Sequence, residues 1–231
     1  MRGVTAAEQE YLETLLHLDE AQEPMTAANV SRAMALSAPT VHEMIKRLES
    51  DGFIERDERK RISFTAEGLA VARDVASRHR LVERFLVDVL GIPWYEVHTE
   101  AARIDRSVSP MVLEKMREAI GTATTCPHGH PIAVGQRVRC GTRLADVPVG
   151  ERITMLRFEN EQDEIVRSLH AAGARLGLTG VVERNDDEAV VVESPEGLHT
   201  ELSPRVAATV AVWASVSTPG PPANATPIAP R

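Results

Sequence analysis

Residues 26–56 read TAANVSRAMALSAPTVHEMIKRLESDGFIER, and residues 59–65 continue RKRISFT. Val30, Ala33 and Met34 give a short helix one apolar face, and a tight turn follows. Ser37 is placed to cap a second helix, with Pro39 in its first turn, where a missing N–H costs nothing. Val41, Met44, Ile45 and Leu48 recur at helical spacing and predict its buried face. Asp51-Gly52 ends it. Phe53-Ile54 and Ile62–Phe64 then flank a charged tip from Arg56 to Arg61. Helix, turn, helix and a basic hairpin form a winged helix-turn-helix, a pattern that enters the major groove of DNA.

The rest of the chain bounds what that module does. At 231 residues there is room for two or three small domains. Aromatic residues make up 3% of the chain, too few for the stacking platforms of single-strand binders. The net charge is −8, and residues 26–65 hold seven Lys/Arg against six Asp/Glu. Bulk charge therefore does not argue for a polyanion partner; local placement must. An acidic chain that needs a counter-charge before meeting DNA fits activation by a cation. No signal peptide or membrane-length apolar run is evident, which predicts a cytoplasmic protein. Cys126 and Cys140 do not make a disulfide framework. Cys126-Pro127-His128-Gly129-His130 admits a metal reading, but it reads first as a Pro/Gly-rich loop with incidental polar side chains.

Working outward, residues 7–21 predict a helix with Leu12, Leu15 and Leu16 toward a core and Glu10, Glu13 and His17 on another face. Thr65 is placed to cap a long helix ending at Gly91, before Pro93. A helix from about Trp94 to Val108 carries Val97, Ala101, Ile104 and Val108 on one side. Ser109-Pro110 starts another, closed by Gly121. The apolar surface of these helices is hard to bury within one chain, and a homodimer would bury it with the twofold symmetry of a palindromic operator. Residues 122–143 read as loop. Strands are predicted at 152–158, 179–184, 189–193 and 208–213, with one helix near 163–172, as in a small barrel. The Pro/Ala-rich tail reads as disordered.

These residues resemble the diphtheria-toxin-repressor-like family of iron- or manganese-dependent transcriptional regulators. The likeness rests on Glu10-Tyr11-Leu12, Ser37-Ala38-Pro39-Thr40-Val41, Arg78-His79-Arg80-Leu81-Val82-Glu83, Glu96-Val97-His98-Thr99-Glu100-Ala101, Cys126–Pro131 and Leu144–Gly150. It implies an α+β protein with a winged helix-turn-helix over 1–73, a helical metal-binding and dimerisation domain over 74–143, and an SH3-like (FeoA-type) β-barrel over 144–217. Residues 218–231 remain as a tail. It also implies a metal-dependent repressor of iron or manganese homeostasis genes, bound to palindromic double-stranded operators as a homodimer.

The resemblance further implies two metal clusters. The first maps onto His79, Glu83 and His98, with Glu159 and Gln162 matched to ligands from the barrel. Mixed imidazole and oxygen donors suit Fe(II) or Mn(II), with Co(II), Ni(II) or Zn(II) able to substitute. The bland alternative is a His–Glu surface pair. In the second cluster the chain departs from the family. Ala102 and Arg106 stand where ligands are expected, and neither can coordinate. Glu10, Glu13 and Asp105 are the remaining oxygen donors there. Two readings stay open: Arg106 replaces the cation by pairing with Glu10 or Asp105, or it turns to solvent while a hard-ligand site survives. The alternative function follows from the first, a regulator of the same family whose metal response is reduced or lost.

For DNA, the resemblance places Ser37, Pro39, Thr40 and Glu43 against bases. Arg47, Arg59, Lys60 and Arg61 are candidates for phosphate contact. A solvated hairpin tip is the plain reading of that basic run. No phosphate-binding Gly loop, nucleophile elbow or HExxH pair is present, so an enzyme is not expected.

Overall fold

A computed structural model describes residues 4–133 and 141–215. Tertiary contacts divide the chain into two compact units: residues 1–140 with 157–171, and residues 141–156 with 172–231. Cys140 and the tail from 218 lie outside the described residues.

The first unit opens with α1 (Ala6–Glu20), started by a capping box in which Thr5 and Glu8 satisfy each other's backbone N–H. The predicted winged helix-turn-helix follows: α2 (Ala27–Met34), α3 (Ala38–Ser50), β1 (Ile54–Arg56) and β2 (Ile62–Phe64). Ser37 caps α3, and Pro39 sits in its first turn as expected. The wing is an antiparallel pair in which Ile54 faces Phe64 and Arg56 faces Ile62. Tyr11, Leu12, Leu15, Val30, Val41, Ile45, Leu48 and Ile54 form one core with Ala72 and Ala76 of the next helix.

That helix, α4 (Ala66–Asp88), is capped by Thr65 and runs 23 residues, so its first half packs on the winged domain and its second half on the helices beyond. These are α5 (Val97–Ile104) and α6 (Pro110–Ala119). The predicted helix from Trp94 to Val108 is shorter than expected. It tightens into a 3-10 turn at Asp105–Ser107, which exposes Ile104 and buries Asp105. Helix α7 (Asp163–Ala171) belongs to this unit, not with the strands around it in sequence.

The second unit holds the small antiparallel sheet domain: β3 (Thr142–Arg143), β4 (Arg152–Phe158), β5 (Thr179–Asn185), β6 (Val190–Glu193), β7 (His199–Leu202), α8 (Pro204–Ala207) and β8 (Val210–Ser215). The strand order is β3-β8-β4-β5-β6-β7. Two further strands carry no clear sequence signal: β3 has only two residues, and β7, His-Thr-Glu-Leu, has a single apolar side chain. The contact boundary between the units falls inside β4, between Leu156 and Arg157.

Candidate metal centre

Five segments of the first unit send polar side chains to one buried place. Helix α4 contributes His79 and Glu83, one turn apart and both buried. His98 stands at the second position of α5. The loop after α6 contributes Cys126 and His128; it folds on itself through Cys126 N to His130 O (2.8 Å) and Gly129 N to Cys126 O (3.0 Å). Gly129 takes φ +95°, which only glycine adopts freely. Glu161 comes from the segment after β4, and Glu13 from α1.

His79 Nε2 lies 3.1 Å from Glu83 Oε1 and 3.1 Å from His98 Nδ1, and His98 Nδ1 is 3.2 Å from Glu83 Oε1 and 2.7 Å from Glu161 Oε2. A second set shares Glu83 and Glu161: His128 Nδ1 stands 3.5 Å from Glu83 Oε2 and 3.4 Å from Glu161 Oε1, with Cys126 alongside. The outer nitrogens are committed elsewhere. His79 Nδ1 donates to Asp105 Oδ2 (2.9 Å), and His128 Nε2 donates to the carbonyl of Trp94 (3.0 Å). A carbonyl only accepts, so neutral His128 turns its Nδ1 lone pair toward two carboxylates. Such outer partners orient imidazoles that face a metal.

These donors fit a divalent cation. Among the described residues, His128 Nδ1, Glu83 Oε2 and Glu13 Oε1 are buried with no hydrogen-bond partner. Ligands ~2.0–2.1 Å from a tetrahedral ion lie roughly 3.3–3.4 Å apart, close to the separations in the His128 set. Without a cation, protons take that role. Burial opposes charge on His79 and His128, but the surrounding carboxylates outweigh it and hold both well above the ordinary imidazole range. His98 is pushed up to about 9: burial works against it, but Glu161 and Glu83 prevail. Glu83 and Glu161 are held well below the usual carboxylate range, burial being overcome by the histidines. Burial raises the Glu13 carboxyl and the Cys126 thiol.

A polar layer continues beside this centre. Arg80, almost fully buried, forks onto Glu20 (3.1 and 2.5 Å) and donates to Pro131 O (3.1 Å). His17 stacks on His130 with ring centroids 5.1 Å apart, and burial together with Arg80 lowers its pKa to about 3.

Several expected residues are placed differently. Glu159 pairs with Arg157 (2.8 Å), and the Gln162 amide donates to the carbonyl of Ala33; Glu161, between them, is the one that reaches the centre. Both Arg157 and Phe158 are buried, so strand alternation breaks there and could not tell which of the next residues points inward. Asp105 meets His79 through the nitrogen facing away from the centre. Glu10 is exposed, while Glu13 is drawn in. Arg106 is exposed, and its nearest carboxylate is the adjacent Asp105 at 4.0 Å, so it does not tie α1 to α5 in place of a cation. His128 and His130 are fully buried, against the expectation of an incidental loop.

On the DNA side, Ser37, Pro39, Thr40 and Glu43 are exposed along α3. Ser37 Oγ and Thr40 Oγ1 are hydrogen-bonded at 2.8 Å, and Glu43 pairs with Lys46 at 2.9 Å. Arg47 is engaged by the buried carboxylate of Glu8 (2.8 Å), and Arg61 by Asp57 (2.8 Å). Arg59 and Lys60 line a groove with Thr26, His42 and Arg56. Nothing local in the sequence marks His42, since only folding of the wing against α3 brings it there.

A winged helix joined to a buried centre of imidazole, carboxylate and thiol donors defines a DNA-binding protein built to hold a divalent cation. The chain belongs to the iron-dependent repressor family: residues 4–62 match its N-terminal DNA-binding domain, and residues 65–133 its metal-binding and dimerisation domain. It is 32% identical over 200 residues to the iron-dependent repressor IdeR of Mycobacterium leprae, covering 81% of this chain and 84% of that one. The structure of IdeR from T. acidophilum superposes with a TM-score of 0.76 at 26% identity, covering 93% of this chain and all of that one. A manganese-dependent transcriptional repressor in complex with manganese gives 0.77 at 26% identity, over 90% of this chain and 100% of that one. Members of this family are transcriptional repressors, not enzymes. No helix among the described residues is long and apolar enough to cross a membrane.

Proposed function

We propose that this protein is a metal-dependent transcriptional repressor that binds a palindromic operator as a homodimer and controls iron or manganese homeostasis. The observation that carries this reading is the convergence of buried donors from α1, α4, α5, the 126–131 loop and the segment after β4. His79, Glu83, His98 and Glu161, with Glu13 beside them, would hold one ion. Glu83, Cys126, His128 and Glu161 would hold a second next to it. A bound ion supplies the positive charge that replaces the protons on these imidazoles. The imidazole–carboxylate set suits Fe(II) or Mn(II), as in the iron- and manganese-dependent relatives, and the thiol extends the range to Co(II), Ni(II) and Zn(II).

Glu13 is the residue that makes this centre matter to DNA, because it brings α1 of the winged domain to the same donors as α4 and α5. The loss of ligands at Ala102 and Arg106 leaves this cluster intact, which favours a working metal response over a lost one. In DNA binding, Ser37, Pro39, Thr40 and Glu43 lie along the exposed edge of α3 that meets bases. Arg59, Lys60 and His42 grip phosphate in the groove beside the N-terminus of α2, where backbone N–H groups add to the attraction. Arg47 contributes chiefly through Glu8. The exposed Leu90, Ile104, Met111 and Val112 form the surface covered by the second copy.

The test is fluorescence anisotropy on DNA from upstream of the protein's own gene and of metal-transport genes. Strong chelator is compared with Mn(II) or anaerobic Fe(II) at fixed salt, because salt alone shifts affinity greatly. Tight binding only with metal is the expected result. Equal binding in chelator would sink the metal-dependent reading.

A further inference from the structure

Residues 158–163 are stitched, one after another, to separate parts of the first unit. Phe158 N donates to His128 O (2.9 Å), and His130 Nε2 donates to Phe158 O (3.0 Å). Glu161 delivers its carboxylate to the metal centre. Gln162 N donates to Asn160 Oδ1 (2.9 Å), a side-chain turn that redirects the chain. The Gln162 side chain then donates to the carbonyls of Ala33 (2.5 Å) and Arg32 (3.4 Å). Asp163 accepts from Thr99, the neighbour of His98, at 3.1 Å.

The carbonyls Gln162 reaches belong to the last turn of α2, where carbonyls lack a helical i+4 donor. Arg32 O also accepts from the C-cap Ala35 N–H (3.4 Å), so Ala33 O is the one that Gln162 chiefly satisfies. Directly after them the chain turns through Ala35 at φ +53°, a setting that L side chains resist, and Ser37 then caps the recognition helix α3. The angle between α2 and α3 is thus set at a strained turn whose preceding carbonyls are held by a residue 129 positions away. That residue adjoins Glu161, and consecutive Cα atoms are fixed about 3.8 Å apart. A backbone shift of Glu161 toward a cation therefore carries Gln162 with it.

We propose that residues 158–163 are a coupling strap, with Gln162 the positioning residue that transmits metal occupancy at Glu161 to the recognition helix. This rests on the repressor reading above. A cation shifts an equilibrium only as far as it binds one arrangement better than another. Glu161 would supply that difference, because it reaches the centre in the same arrangement in which Gln162 meets the end of α2.

The experiment compares wild type with Gln162→Ala and with Gln162→Lys, which keeps a long donor. Mn(II) affinity is read by calorimetry, and affinity for the duplex upstream of the protein's own gene is read with Mn(II) and with chelator. Amide hydrogen exchange over residues 33–40 is followed in the Mn(II)-loaded protein. In Gln162→Ala, Mn(II) affinity should stay within about twofold, while the Mn(II)-induced gain in DNA affinity falls by at least about fivefold and exchange at 33–40 accelerates. Gln162→Lys should recover part of both. A wild-type gain and exchange pattern that survive in Gln162→Ala overturn the coupling alone. A parallel loss of Mn(II) affinity also overturns it, by making Gln162 part of the metal centre. Wild type that gains nothing from Mn(II) overturns the repressor reading and the coupling with it.

Discussion

Glu83 and Glu161 each face more than one imidazole, and this sharing makes their removal costly in a way no single pair would be. Glu161→Gln keeps the shape and deletes the charge. It should weaken Mn(II) binding by tenfold or more and bring DNA affinity in Mn(II) down to the chelator level, as calorimetry and anisotropy would show; full metal dependence in that variant would remove Glu161 from the centre. Asp105 acts one step further out, by fixing the His79 ring. Asp105→Asn should cost about 10-fold in metal affinity, within the 10–100-fold range of outer partners. The proton sign can be stated for His98. Its pKa of about 9 means it carries a proton at pH 7 without metal, so an ion must displace that proton. Metal affinity should therefore rise with pH, by up to about tenfold per unit for each proton displaced, with the His98 share of that rise ending at about pH 9. Calorimetry in buffers of different ionisation enthalpy counts the released protons; a pH-independent affinity would contradict the assignment. His79, Glu83 and His98 were legible in the sequence through their spacing and the family resemblance. Glu161 was not, because the segment after β4 follows no period.

Among the elements, the start of α4 is set by contact more than by propensity. Thr65 caps it, and Thr65 also bonds to the carbonyls of Gly52 (2.7 Å) and Phe53 (3.2 Å), so the helix begins flush against the end of α3. At Gly68 a Cβ would sit 1.7 Å from the carbonyl oxygen of Phe53. Gly68→Ala should therefore lower stability by about 3 kcal/mol or more, despite the better helix propensity of alanine, by forcing backbone apart. Urea unfolding checks this, and a neutral result would mean α4 can slide on the wing. The wing offers a second measurement. Arg59→Ala and Lys60→Ala should each reduce the salt slope of DNA binding by about one unit, and Arg61→Ala by less because Asp57 already holds it. Equal slopes for all three variants would count against this ranking. Helices, caps and the wing were readable from the sequence because they rest on local periodicity and capping chemistry. The early end of the fifth helix was not, since burial of Asp105 against His79 decides it from outside the helix.

For the whole molecule, Met111 is 77% exposed and Leu90 59%, with Ile104 and Val112 also open to solvent. Exposed large apolar side chains at the ends of α4 and α5 and the start of α6 suit a covering surface, and the proposed second copy would supply one with twofold symmetry. Met111→Glu with Val112→Asp should shift the protein toward monomer in sedimentation and weaken operator binding far more than binding to a half-site. A dimer unaffected by both changes would place the interface elsewhere.

The sequence by itself determined the winged helix-turn-helix, the capped long helix, the small strand domain and the family, because each rests on short-range signals: helical spacing, Ser and Thr caps, turn glycines and a characteristic chain of motifs. Only the tertiary structure decided which polar side chains share the buried centre. It drew in Glu13, Cys126, His128 and Glu161, left Glu10 and Arg106 outside, and turned Gln162 from an expected ligand into a bond to the end of α2. The physical reason is that a cation site is a meeting of segments far apart in the chain, and no local period records which face each segment presents when they pack.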